Sequence, residues 1–66
     1  MSNDIMKRVI DVANHIITTK DTIRKTATIF NISKSTVHKD IQERLASIDT
    51  NKYKQVKEIM AEHIET

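Results

Sequence analysis

Apolar residues recur along this chain at steps of three and four, the period of helices that bury one face. Ile5, Val9, Val12, Ala13, Ile16 and Ile17 predict a first helix over about residues 3–18. Ser2 or Asn3 is placed to cap it, Asp4 complements the positive end of the helix dipole, and Thr18-Thr19, weak helix formers, mark its end. Ile23, Ala27 and Phe30 predict a short second helix over about 22–30, capped by Asp21 or Thr22. Val37, Ile41 and Leu45 predict a third over about 34–45. Tyr53, Val56, Ile59 and Met60 predict a fourth over about 50–63, with Asp49 as its cap and Ile48 and Tyr53 as a hydrophobic staple. Residues 64–66 are expected to fray.

The polar break between the second and third helices carries the most information. Among residues with a Cβ, asparagine tolerates left-handed backbone angles best, so Asn31 is placed to turn the chain sharply. Ile32 then points back to the core and Ser33 caps the third helix. A helix-turn-helix needs a small residue at the helix crossing, a tolerant turn residue, and apolar residues that lock the second helix. Ala27, Asn31, Ile32, Val37 and Ile41 supply these types at workable spacing, which predicts such a motif over about 22–45.

Composition narrows this picture. The chain has 66 residues, enough for one domain and too few to wall a substrate cleft on several sides. It contains neither glycine nor proline, the residues on which tight strand connections depend. The expected fold class is therefore all-α: a small four-helix domain containing a helix-turn-helix. Cysteine is absent, which excludes disulfides and thiolate metal sites. No apolar run is long enough to span a bilayer, and no membrane association is expected. The expected location is the cytoplasm. No cofactor is expected, and the three histidines, His15, His38 and His63, fall far apart without a metal-binding or catalytic spacing, so an enzyme is not expected. His15 and His63 read as surface or edge-of-core residues.

The net charge of +2 is uninformative, but its distribution is not. Between Lys20 and Lys39 stand Lys20, Arg24, Lys25, Lys34 and Lys39 against the single acid Asp21. From Glu58 to the end there are three acids, Glu58, Glu62 and Glu65, and no Lys or Arg. The positive field therefore lies mid-chain, where an anionic partner would meet it.

With Val37 turned inward, Ser35, Lys39 and Gln42 face the opposite side of the third helix, and Lys34 and His38 flank them. Lysine can donate to guanine O6 or N7, glutamine can pair with adenine, and serine serves several partners. Glu43 also faces outward, so the helix should leave the major groove before that point. Thr22, Arg24, Lys25 and Thr26 sit at the start of the second helix, where free backbone N–H groups favour a phosphate. Taken singly, Arg24 and Lys25 are ordinary solvated charges, and Thr26 serves equally well to cover a neighbouring turn.

The run Ile32-Ser33-Lys34-Ser35-Thr36-Val37-His38-Lys39-Asp40-Ile41-Gln42-Glu43-Arg44-Leu45 closely resembles the helix-turn-helix of the stage III sporulation protein D family. Thr22-Ile23-Arg24-Lys25-Thr26-Ala27 and Val56-Lys57-Glu58-Ile59 are similar too, so the resemblance covers nearly the whole chain. It implies a transcription regulator of the mother cell in spore-forming bacteria, activating some genes and repressing others. It also implies a monomer on double-stranded DNA with its recognition helix in the major groove. Family members carry a basic segment after the last helix that makes a second contact. Here Glu62-His63-Ile64-Glu65-Thr66 is acidic and lacks Lys and Arg, so these residues are not expected to supply it. Asn31 replaces the glycine common at the family's turn. The candidate DNA-contacting set is Thr22, Arg24, Lys25, Ser33, Lys34, Ser35, Thr36, His38, Lys39 and Gln42. The competing expectation is a helical adaptor that uses the same exposed face to bind a protein such as RNA polymerase.

Overall fold

The computed structural model describes residues 3–63, for residue 63 the backbone alone. Ser2 as a cap, the fraying of residues 64–66 and the side chain of His63 lie outside the described residues. Within them the chain forms four helices and no strand: α1 (Asn3–Thr19), α2 (Ile23–Phe30), α3 (34–48) and α4 (Thr50–His63). None is long and apolar enough to cross a membrane. Packing puts α2 against the front of α3, while α1 and α4 pack on each other and on its rear.

The inward stripes expected from the sequence meet in one core. Val9, Val12, Ala13 and Ile16 of α1, Ile23 and Ala27 of α2, Val37, Ile41 and Leu45 of α3, and Val56, Ile59 and Met60 of α4 are all buried. Ile5, Ile17, Phe30, Ile32, Ile48 and Tyr53 close its edges. A 66-residue chain holds a thin margin of stability, on the order of 3–10 kcal/mol, so each junction matters.

The helix ends use side chains where other chains use glycine. α1 runs one residue past the expected end and stops at Lys20, whose φ of 59° lies in the left-handed region. Its backbone N–H still donates to the Ile16 carbonyl at 2.8 Å. Of the two possible caps for α2, Thr22 is the one used: its hydroxyl accepts the Lys25 N–H at 3.1 Å. Asp49 caps α4 as expected, accepting the Lys52 N–H at 3.1 Å.

The turn between α2 and α3 has the predicted backbone. Asn31 sits at φ 56°, ψ 45°. Its N–H donates to the Thr28 carbonyl at 3.2 Å and that of Ile32 to the Ala27 carbonyl at 3.0 Å, the paired bonds of a Schellman ending. Ser33 is extended, and its Oγ accepts the Thr36 N–H at 3.1 Å to launch α3. Asn31→Val should therefore cost about 1–2 kcal/mol, because a Cβ-branched residue is strained at this angle. Asn31→Gly should be neutral or slightly stabilising. Urea unfolding followed by circular dichroism measures both; equal midpoints for the two variants would mean that the turn relaxes away from this geometry.

α3 continues beyond the expected end at Leu45 to Ile48. It is α-helical over Lys34–Lys39, takes the wider π form over Asp40–Leu45, and closes with a turn of α-helix over Ala46–Ile48. Residues four apart drift around an α-helix of 3.6 residues per turn. A π segment bonds five residues back instead of four, and its wider turn reverses that drift. Val37, Ile41 and Leu45 thus stay on one inward line, and Asp40 turns inward beside them.

Candidate nucleic-acid interface

α3 presents its polar side to solvent in the order the apolar period requires. Ser35, Lys39, Gln42 and Glu43 are exposed, and His38 is half-buried beside them. These five residues line an open depression on the outer face of the helix. Lys34 is exposed at its start. Ser33 and Thr36 belong to the cap: the Ser33 Oγ and Thr36 Oγ1 lie 2.8 Å apart, and Ser33 already holds the Thr36 N–H.

The group expected at the start of α2 is only partly brought together. Arg24 and Lys25 are exposed, while Thr22 is half-buried with its hydroxyl committed to the cap. None of the three lines the depression on α3. Lys25 is partly offset by Asp21, whose Oδ1 lies 3.8 Å from its Nζ. That carboxyl is held below the usual carboxylate range, chiefly by its 2.8 Å hydrogen bond with His15 Nε2. His15 itself is half-buried with its ring edge-on to Phe30, in keeping with an edge-of-core residue. Thr26 corrects the reading: it is fully buried, and its hydroxyl has no hydrogen-bond partner among the described residues. It faces the core because the buried stripe of α2 is one residue wider than Ile23, Ala27 and Phe30 suggest.

Two arrangements were not visible in the sequence pattern. Asp40, within the outward-facing helix, is completely buried. Arg8 of α1 grips its carboxylate with both arms, Nε at 2.9 Å and Nη2 at 3.0 Å, and Arg44 adds Nη1 at 2.6 Å. Hydrogen bonding to Asp40 holds the Arg8 guanidinium more firmly protonated, against the opposing effect of burial. An exposed acid here would repel a polyanion; paired and buried, it projects no negative charge toward one. The i,i+4 spacing of Asp40 and Arg44 was a local hint, whereas Arg8 lies 32 positions away.

Lys57 of α4 is the second. Its Nζ donates to Gln42 Oε1 at 3.4 Å and stands 5.9 Å from the centre of the Tyr53 ring. A third helix thus contributes a cation at the edge of the α3 depression. The one available signal was the four-residue step from Tyr53 to Lys57, which puts both on one side of α4.

Donors on this surface outnumber acceptors. Lys34, Lys39 and Lys57 donate only, and Ser35, His38 and Gln42 can do either, with Glu43 the lone carboxylate. Such a ridge suits phosphates and the acceptor-rich edges of bases. Among the described residues no cluster of three or more histidine, cysteine or acidic side chains could hold a metal ion.

The sequence profile of the family described as Stage III sporulation protein D matches residues 2–65. A Bacillus subtilis (strain 168) protein named Stage III sporulation protein D is 44% identical over 63 residues, an alignment spanning 96% of this chain and 68% of that protein. No solved structure matches significantly.

Proposed function

Since the chain belongs to the stage III sporulation protein D family, we propose that it is a sequence-specific DNA-binding transcriptional regulator acting in the cytoplasm of sporulating cells. The front half of α3 enters the major groove, Ser35, His38, Lys39 and Gln42 face the base edges, and one copy occupies each site. Lys34, Arg24 and Lys25 supply phosphate contacts that set the register without reading sequence. The observation that carries this reading is the outward ridge of α3, raised clear of the core by the left-handed turn at Asn31 and the Ser33 cap.

Titrating promoter fragments at rising salt tests it. Binding through phosphates weakens with salt, with a log–log slope of about −0.9 per phosphate neutralised. Specific fragments should hold on to higher salt than random duplex of equal length. Affinity that ignores salt, or no binding in dilute buffer, would favour a protein-binding adaptor instead.

A further inference from the structure

The Lys57–Gln42 contact bears on which base is read. A lysine ammonium carries three donors and no acceptor, so the amide atom it meets must be the oxygen. The Lys57 Nζ, set beside the Tyr53 ring, therefore draws Gln42 Oε1 toward α4. The amide is planar, so its nitrogen occupies the opposite branch, with both hydrogens available. Free glutamine recognises adenine through both atoms, the oxygen accepting from N6 and the nitrogen donating to N7. Once the oxygen is turned aside, Gln42 offers donors only, and the neighbouring ammonium adds more.

We propose that Lys57 is a specificity-determining residue that holds Gln42 as a donor, so that Gln42 selects a guanine over an adenine. Guanine presents two acceptors side by side in the major groove, O6 and N7, whereas adenine sets its N6 donor against the donors of Gln42 and Lys57. Lys57 acts through Gln42 and need not touch the base. Expulsion of water on binding strengthens the contact, because an ion–dipole attraction grows as the local dielectric falls. This inference rests on the DNA-binding reading above.

The test uses the full chain and labelled duplexes carrying the site that the wild-type protein protects from cleavage. Gln42→Ala identifies the base pair that Gln42 reads, as the position where discrimination is lost. Four duplexes differing only at that pair are then titrated with wild type, Lys57→Met and Lys57→Arg. The expected result is a guanine preference in the wild type. It should shift toward adenine by about tenfold in Lys57→Met, the scale of one base contact, and persist in Lys57→Arg, which is also a pure donor. Lys57 is exposed, and circular dichroism checks that each variant is folded. Four results would overturn the proposal: no position that depends on Gln42, a wild-type preference for adenine, a guanine preference unchanged in Lys57→Met, or an equal loss on all four duplexes with a shallower salt slope, which makes Lys57 a phosphate contact. A wild-type protein that binds no duplex at all overturns the DNA-binding reading and this one with it.

Discussion

Asp40→Ala should lower the free energy of unfolding by about 3 kcal/mol, the low end of the loss seen when one partner of a buried ion pair is removed. The carboxylate is wholly shielded from solvent, and three charge-assisted hydrogen bonds converge on it. Its removal leaves two guanidinium groups facing each other across a void. The loss stays at the low end because the Arg8 and Arg44 side chains remain 31% and 27% exposed, which leaves each a route to water. Set against the thin margin of so short a chain, this is a large share of its stability. Asp40→Asn keeps the shape but turns an amide N–H toward an arginine, so it should lose only slightly less. The triple variant Arg8→Met, Asp40→Leu, Arg44→Met should recover much of the deficit, since an apolar filling of similar volume avoids desolvating charges. Urea unfolding curves decide the matter. A change under about 0.5 kcal/mol, typical of surface sites, would mean that the carboxylate is solvated after all.

Lys39→Ala should leave stability nearly unchanged and cost roughly 1–3 kcal/mol of specific binding, concentrated at one base pair. Lys39 is exposed at the centre of the α3 ridge, flanked by Ser35 and Gln42, so truncation removes a donor without opening the core. Competition binding against single-base variants of the protected site measures the effect. If the loss is uniform across sequences and the salt slope falls by about one, Lys39 contacts a phosphate. If the affinity does not change, the ridge is not the reading surface.

The architecture was legible where it rests on local chemistry. The apolar stripes, the caps at Thr22, Ser33 and Asp49, and the left-handed Asn31 all follow from residue type and near neighbours. The sequence could not reveal Arg8 meeting Asp40 or Lys57 meeting Gln42, because those contacts exist only once the helices have packed. Asp40 reads as a solvent residue in a polar stretch, and its burial depends on a partner from another helix. Of the two roles open to Thr26, burial leaves only the structural one, and a threonine beside Lys25 gives no sign of how wide the buried face of α2 is. The extra turn of α3 went unseen because Ala46-Ser47 has little apolar period and nothing before Asp49 breaks the helix. Lys20, a left-handed residue with neither glycine nor asparagine chemistry, gave no warning at all.

The wide turn over Asp40–Leu45 divides α3 into two parts with separate tasks. Within it, buried Ile41 and Leu45 and the Asp40 carboxylate gripped by Arg8 of α1 moor the rod to its neighbours; ahead of it, Lys34, Ser35 and Lys39 stand in solvent. Most of the outward residues thereby stand apart from the mooring, with Gln42 and Glu43 sharing its segment. On the DNA-binding reading proposed above, exchanging forward side chains such as Ser35 and Lys39 would change the sequence that is read, while the angle at which the rod is presented stays inherited.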